Sequence, residues 1–358
     1  MKKIDWYILK KFLGTFVFIM ALLLCITIVI DISEKIDNFI DGDATWQTIV
    51  FKYYLNFIPF IASLLAPFFV LVAVIFFTSQ LAERSEIIAI LNSGTSFNRF
   101  LYPYFVGACI LAFVLYVGNN YVIPSANTKR LEFENTYINK YTNTISYSFQ
   151  RQISPGVFIY MENYVPFEGK GYKFAIDKFE KGKLVYKLRA DKIAWQKSLK
   201  KWRINDYYTR QIGEEGDVIF NAAQLDTIFS FTPDNFSFTS SVKENMTTPE
   251  LTDYIERMKK SGQSEVEFYE VERYRRTSIA FSVFIMTLIG VSLASQKVRG
   301  GLGWHLVLGI GLSALYEIIM KFSVTFSTNS SLPPFLGVWI PNFIFGGIAV
   351  YLMKKAPK

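Results

Sequence analysis

The stretch FLGTFVFIMALLLCITIVI, residues 12–30, contains no charged residue. A helix needs about 20 mostly apolar residues to cross a bilayer, and this run has that length. Five more windows of the same kind follow: Tyr54–Thr78, Phe100–Ile123, Thr277–Ser295, Leu302–Phe326 and Phe335–Met353. The first run is too long for a cleavable signal peptide and no small-residue cleavage site follows it. The sequence therefore predicts a membrane protein whose α-helical bundle has six transmembrane helices, three on each side of a polar centre.

The centre of the chain, residues 124–270, has no such window and a different periodicity. Short runs rich in Val, Ile, Tyr and Phe are separated by turn signals, for example VFIYMENY, GYKFAIDKF and KWRINDYYTRQI. In KLVYKLRA, Leu184, Tyr186 and Leu188 alternate with side chains that point the other way. This pattern predicts an inserted all-β domain, an antiparallel sandwich or jellyroll-like fold.

A short helix is expected after these strands, at about residues 249–261. Thr247 and Glu250 have the spacing of a capping box, and Gly262 fits a helix stop. The predicted organisation is three membrane helices in residues 1–123, the β domain in 124–270, and three membrane helices in 271–358.

Basic residues predict how the chain is oriented. The net charge is +8, which in a soluble protein would suggest nucleic acid. Here Lys and Arg lie at both ends of the chain and in the loop that carries Lys297 and Arg299. The positive-inside rule then places both termini in the cytoplasm and the central domain outside. We expect no nucleic-acid partner. Cys25 and Cys109 lie in predicted spans, so no disulfide is expected in the outer domain.

Charged residues near the membrane are the candidate substrate contacts. In the fifth span Glu317 and Lys321 are four residues apart, on one helix face. They either pair with each other near the outer end of the helix or line a water-filled cavity. The planar guanidinium group of arginine can bind a phosphate through two hydrogen bonds, but contact with lipid headgroups would equally account for arginines at this position. A basic ring is predicted at the outer surface: Lys35, Lys52, Arg273, Arg275 and Arg276.

Catalytic chemistry is not indicated. Asp41 and Asp43 lie in a short outer loop without further ligands, and His305 is the single histidine. No nucleophile–base set and no phosphate-binding loop of the G-x-x-x-x-G-K-[ST] type is present. We therefore predict no catalytic residue, no metal ligand and no cofactor in this chain.

The polar segment AERSEIIAILNSG, residues 82–94, is predicted to form a helix at the cytoplasmic surface, at about residues 80–95. Such a helix places Glu83, Glu86 and Ile90 on one side and Ile87 on the neighbouring side. Helices that lie on membranes usually present Lys and Arg, whereas the anionic inner leaflet does not attract acids. A docking element for a cytoplasmic protein is the preferred interpretation, with a simple interfacial connector as the alternative.

Several segments resemble the LptF/LptG permease family of the lipopolysaccharide exporter. The segment QLAERSEIIAILNSGTS is similar to the family's cytoplasmic coupling helix. Similar segments spread over nearly the whole chain: IDWYILKKFLGTF, WRINDYY, FTPDNFSF, PELTDYIERMKKSGQ and GVWIPNFIFGGIAVYLM. The stretch with YIERMKKSGQ resembles the G member more than the F member.

The resemblance implies a non-catalytic permease subunit of the bacterial inner membrane. Such a subunit pairs with a second LptF/LptG-type permease and extracts lipopolysaccharide from the outer leaflet of the inner membrane. A cytoplasmic ATPase dimer, which binds ATP and Mg, drives it, and LptC/LptA-like periplasmic jellyroll proteins form a bridge for the lipid. Spans 1 and 5 are expected to line the cavity. The ATPase-coupling residues implied are Glu83, Arg84, Glu86, Ile87, Ile90 and Gly94.

One segment departs from the family pattern. G members tend to carry lysines at the outer end of the first helix, whereas DISEKIDNF here has only Lys35. Either other basic residues of this chain bind the phosphates of the lipid, or the lipid carries fewer phosphates. Other functions remain open at this stage: a membrane-anchored periplasmic binding scaffold without transport, or the permease of another ATP-driven exporter. Permeases of the latter kind usually have four spans, and the lack of a catalytic cluster counts against an enzyme acting on lipid-linked sugars.

Overall fold

Six long apolar helices and one antiparallel sheet make up the described parts of the chain. The computed structural model describes residues 2–138, 147–165, 169–213, 216–229, 231, 233, 242–260, 266–296, 301–329 and 332–356. Helices long and apolar enough to span a membrane are Lys3–Asp41, Ala66–Glu83, Phe97–Ile138, Val266–Ala294, Leu302–Asn329 and Pro334–Lys355. The predicted fold class is confirmed. The predictions for Gly262, Lys297 and Arg299 fall outside the described residues.

The helices fall into two groups, one before and one after the sheet. The first group is α1 Lys3–Asp41, α2 Trp46–Thr48, α3 Leu55–Leu64, α4 Ala66–Glu83, α5 Glu86–Asn92, α6 Phe97–Val117 and α7 Ile123–Phe133. The second group is α8 Val242–Asn245, α9 Thr248–Lys260, α10 Val266–Ala294, α11 Gly301–Asn329 and α12 Pro334–Lys355. Three π-helical segments extend or join helices of the first group: Ile49–Tyr54, Gly118–Val122 and Glu134–Ile138.

Several helices differ in length from the predicted windows. The second window is broken at Leu65, and α4 begins with Pro67 in its first turn, where proline's missing N–H does no harm. The third membrane span, which begins as α6 at Phe97, continues past the predicted end, through α7, to Ile138. At 1.5 Å per residue, the 39 residues of α1 reach about 58 Å, roughly twice the hydrocarbon core. Apolar windows marked only the parts of these helices that lie in lipid.

Helices α4 and α10 form the centre of the bundle. In each, 72% of the spanning window is buried, whereas α1 and α11 bury only 17% and 22%. α10 packs on α4, α6 and α12, and both α1 and α11 pack on α4. A Cβ at Gly290 in α10 would lie 2.7 Å from Cγ1 of Val74 in α4, so glycine permits this close approach. α1 and α11 thus leave most of their apolar surface outside the bundle.

The sheet has six strands that pair with their neighbours in sequence order. These are β1 Tyr147–Ser154, β2 Val157–Val165, β3 Lys170–Glu180, β4 Lys183–Gln196, β5 Lys201–Gly213 and β6 Gly216–Thr227. β2 to β6 fall on the five alternating runs of the sequence, whereas β1 was not predicted. All pairs are antiparallel.

One face of the sheet is apolar and packs a core of its own. Ile159, Ile176 and Leu188 lie in this core, and the indole of Trp202 donates a hydrogen bond to the carbonyl of Phe231 at 2.8 Å. One half of the predicted capping box of α9 is present: the backbone N–H of Thr247 donates to the Glu250 carboxylate at 2.8 Å, and the Thr247 hydroxyl donates to the same oxygen. The chain then returns to the membrane helices through α9.

Candidate functional site

The predicted coupling segment is two helices with a sharp turn between them. α4 ends at Glu83, and Ser85 takes a left-handed backbone with φ of 59° before α5 begins at Glu86. The prediction of one continuous helix over this segment is therefore wrong. Glu83 and Glu86 lie on different helices, so their spacing of three residues does not place them on a common helical face.

Glu86 is half-buried beside the first turns of α1. The hydroxyl of Tyr7 donates to Glu86 Oε2 at 3.4 Å, and Nη1 of Arg84 lies 4.0 Å from Oε1. Glu83 and Arg84 are exposed. The acidic surface is thus present, with Glu83 as its freest carboxylate and Glu86 as a link to α1.

The aliphatic side chains of α5 divide between core and surface. Ile87 is 1% exposed and packs in the main core of the bundle, so it is not available to a partner. Ile88, which the sequence reasoning passed over, is 50% exposed, and Ile90 is half-buried. Gly94 has a φ of 83°, which suits the predicted end of the segment. The surface that a partner would meet is therefore Glu83, Arg84 and Ile88.

A salt bridge that the sequence did not reveal holds the start of α1 against α6. Nη2 of Arg99 lies 2.6 Å from Oδ2 of Asp5, whose carboxylate is buried. The two residues are far apart in the chain, and no local pattern connects them. The coupling segment therefore lies between two helices that are fixed to each other at the same end of the bundle.

At the other end of the bundle, Lys35 is held by partners in its own chain. Its Nζ lies 2.7 Å from Oδ1 of Asp31 and also bonds to the hydroxyl of Tyr53. The hydroxyl of Tyr54 donates to Asp31 Oδ2 at 3.0 Å, and Glu134 lies 4.0 Å from Lys35. Lys35 is thus neutralised inside the chain and is not a free ligand for phosphate.

Two of the three predicted arginines are also engaged internally. The guanidinium of Arg275 donates twice to the buried carboxylate of Glu272, at 2.9 and 3.2 Å. Arg276 donates to Glu272 at 3.2 Å, to the hydroxyl of Thr248 at 3.0 Å and to the carbonyl of Lys243 at 3.0 Å. We call Glu272, Arg276, Thr248 and Lys243 the clasp, because it fixes α8 and α9 to α10.

The clasp lies in a poorly hydrated environment. Burial raises the pKa of the neighbouring Glu244 carboxyl, and burial lowers the pKa of the Lys243 amine. Both shifts have the sign expected when water is excluded from a charged group. The clasp therefore joins α8 and α9 to α10, and the predicted ring is not assembled from Arg275 and Arg276.

The remaining candidates are more open. Lys52 is exposed, and Arg273 is half-buried with its guanidinium 3.1 Å from the hydroxyl of Tyr274. In α11, Lys321 is exposed and Glu317 is half-buried, within electrostatic range of Lys321 and Arg275. No salt bridge joins Glu317 to Lys321, both of which the structure describes. A contact of these four residues with substrate stays a prediction.

Metal-ligating residues do not cluster in the described ranges, where no group of three His, Cys, Asp or Glu side chains could hold an ion. Nδ1 of His305 lies 2.9 Å from the hydroxyl of Ser79, which ties α11 to the end of α4. The histidine is buried there. This environment suits a structural hydrogen bond rather than a ligand site.

A comparison with models of known protein families gives a match. The model of a family described as "Lipopolysaccharide export system permease LptF/LptG" matches residues 6–355. That description covers both members, so it does not distinguish a G-like from an F-like chain. A comparison with curated proteins gave no match.

Proposed function

Since the chain belongs to the lipopolysaccharide export system permease LptF/LptG family, we propose that it is one transmembrane subunit of an ATP-driven exporter. It is a multi-pass protein of the bacterial inner membrane. In this proposal it extracts lipopolysaccharide from the outer leaflet and passes it to a periplasmic bridge. Both termini lie in the cytoplasm and the sheet lies in the periplasm.

The uneven burial of the spans carries the proposal. α1 and α11 are the least buried of the six spans, and both pack on the central helix α4. A groove of about 520 Å³ runs along the exposed side of α1, lined by Tyr7, Lys10, Gly14, Phe18 and Phe76. In a membrane, such an apolar surface is covered either by lipid or by another protein. We propose that α1 and α11 line the lipid cavity and meet a second LptF/LptG-type permease.

The coupling segment supports a cytoplasmic motor. Exposed Glu83, Arg84 and Ile88 offer charge and apolar surface at the end of α4, the helix on which the bundle is built. A force on α5 passes directly to α4 through the short turn at Ser85, and to the core through Ile87. In this proposal a separate ATPase dimer binds ATP and Mg, and this chain has no catalytic role and needs no cofactor.

The sheet offers a place for the periplasmic bridge. Among the described strands, β6 has a neighbour on one side, and its Val218, Ile219 and Phe220 are exposed. An apolar edge strand pairs readily with a strand of another protein. We propose that an LptC/LptA-like jellyroll protein adds to the sheet at this edge.

Co-purification tests the proposal. The chain is co-expressed with candidate ATPases as wild type, Glu83→Lys, Glu86→Lys and, as a matched control, Asp43→Lys, an exposed acid beyond the far end of α1. Charge reversal at a seated contact should weaken binding by about 2–5 kcal/mol, which is about 30-fold or more. The ATPase should be retained by wild type and the control and lost from at least one of the two glutamate variants.

The opposite result would favour a different function. If no ATPase accompanies the wild type, or if both reversals retain it as the control does, the segment is a connector. The chain would then fit a membrane-anchored periplasmic scaffold that binds a ligand without transport.

A further inference from the structure

The polar face of the sheet, opposite its apolar core, carries a hollow of about 580 Å³. Its lining combines tyrosines, carboxylates and one guanidinium: Tyr160, Asp177, Arg189, Asp191, Asp206 and Tyr208. A concave site with a few converging polar groups is the usual form of a ligand site.

Strand register creates the hollow. Tyr160 of β2, Ala175 of β3, Arg189 of β4 and Tyr208 of β5 lie directly opposite one another in a row across four strands. Side chains in such a row share one face of the sheet. Ala175 has the smallest side chain of the row and lies between Tyr160 and Arg189. The residues of the hollow are far apart in sequence and meet only through this pairing.

The charges in the hollow disfavour an anionic ligand. Oδ2 of Asp177 accepts a hydrogen bond from Arg189 at 3.3 Å, while its Oδ1 is buried and has no partner among the described residues. Lys173 at the rim is neutralised by Glu162, which lies 2.6 Å away and raises the pKa of the Lys173 amine. Asp191 and Asp206 add two more carboxylates. Carboxylates therefore outnumber the available cations, and a phosphate would be repelled.

We propose that this hollow binds uncharged sugar rings. Tyr160 and Tyr208 are 37% and 41% exposed, so their rings are open to stack against the C–H face of a sugar. Carboxylate oxygens accept hydrogen bonds from hydroxyl groups, and the Arg189 guanidinium donates to hydroxyl oxygens. Few other uncharged ligands offer many hydroxyl groups beside an apolar ring face.

The proposal rests on the proposed function for the source of the sugar. A lipopolysaccharide that passes the sheet carries acyl chains and an oligosaccharide. Acyl chains suit the border of the apolar face, where half-buried Tyr186 lies, because Ile159 and Leu188 are already buried in the sheet's own core; the hollow on the opposite face suits neutral sugars. The sheet would then sort the two parts of one molecule to its two faces.

Site-specific photocross-linking tests this in cells with the full-length chain. A benzophenone amino acid is placed at Tyr208 in the hollow or at Tyr186, which borders the apolar core. Each is tested in cells that make lipopolysaccharide with its full core oligosaccharide and in cells that make a form truncated before the neutral sugars. We expect position 208 to cross-link only the full form and position 186 to cross-link both.

The outcomes distinguish failure of the sugar site from failure of the proposed function. Cross-links at 186 but none at 208, or equal cross-links of both forms at 208, would overturn the sugar site alone. Absence of lipopolysaccharide at both positions would count against the proposed function as well. Tyr160→Ala should reduce the cross-link at 208 at least fivefold, whereas Glu180→Gln, an exposed control outside the hollow, should leave it unchanged.

A competition experiment identifies what is recognised. Membranes that contain the 208 variant are irradiated with and without a delipidated neutral oligosaccharide released from the same lipopolysaccharide. If the hollow recognises the sugar itself, the oligosaccharide lowers the cross-link in proportion to its concentration. If an excess of oligosaccharide has no effect, the contact at 208 is a passing encounter of the lipid, and recognition of sugar is refuted.

Discussion

Replacing Arg276 should loosen the joint through which the chain returns from the sheet to the membrane helices. Its side chain is 3% exposed and donates to three groups on α8, α9 and α10. Of these, only Glu272 has a second charged partner at hydrogen-bond distance, Arg275 at 2.9 Å. Arg276 supplies the hydrogen bonds from α10 to Thr248 and to the carbonyl of Lys243, while the Lys259–Glu270 salt bridge at 2.6 Å also joins α9 to α10.

The expected size of the effect follows from these contacts. Removing one partner of a buried ion pair destabilises by about 3–5 kcal/mol, because the other charge stays buried without compensation. Glu272 keeps Arg275, so Arg276→Met should fall at the lower end, about 3 kcal/mol. Arg276→Lys keeps the charge but has no planar fork to reach three acceptors, and should lose about 1–2 kcal/mol.

Hydrogen–deuterium exchange in lipid nanodiscs measures the loss directly. A local destabilisation of about 3 kcal/mol corresponds to about a hundredfold faster exchange of the amides of α9, since about 1.4 kcal/mol is tenfold. Arg273→Met is the matched control on the same helix, because Arg273 contacts only its neighbour Tyr274 among the described groups. If α9 exchanges equally in the Arg276→Met and Arg273→Met variants, the clasp does not hold this helix.

Two further predictions concern packing and pH. Gly107→Ala should lower the free energy of unfolding by about 1–3 kcal/mol, measured as a lower melting temperature in detergent, because the new Cβ would lie 2.5 Å from the ring of Phe12. Gly14→Ala, whose Cβ meets open space, should be neutral, and equal effects of the two would contradict this packing. The hydrogen bonds from Thr247 hold the pKa of Glu250 below its ordinary value. The cap therefore stabilises α9 fully when the pH is above the ordinary pKa of a glutamate, and this stabilisation is lost as the pH falls through the lower pKa of the folded state. Hydrogen–deuterium exchange of the α9 amides, corrected for intrinsic rates, should become faster in acid for wild type but not for Glu250→Gln. If the two proteins show the same pH dependence, the cap does not stabilise α9.

Features with a local pattern were predictable. A run of apolar residues needs only its length to indicate a span, and an alternating run needs only its period to indicate a strand. Six helices and five of the six described strands follow from such runs. The turn at Ser85 was not predictable, because a non-glycine residue with positive φ is uncommon and serine gives no signal for it.

Partnerships between distant residues were not predictable either. The sequence shows that Lys35 and Arg276 are cations near the membrane, but not that Asp31 and Glu272 already hold them. The sequence alone does not distinguish a basic residue that is available to bind a phosphate from one that pairs with a carboxylate of its own chain. The candidate ring therefore loses its central members once the fold is known, while Lys52 and Arg273 stay open.

The arrangement of α4 indicates how a force on the coupling segment would travel. α4 ends at that segment, and α1, α10 and α11 all pack on it. Because Gly290 of α10 lies against Val74 with no free space, α4 and α10 cannot slide past each other without loss of packing. They should move as one unit, whereas α1 and α11 leave most of their surface outside the bundle and are held to it by local contacts such as Asp5–Arg99 and Ser79–His305. α10 also carries the clasp, so the same movement would reach α8 and α9 through Arg276. These two short helices are thus linked to the coupling segment through one pair of helices, α4 and α10.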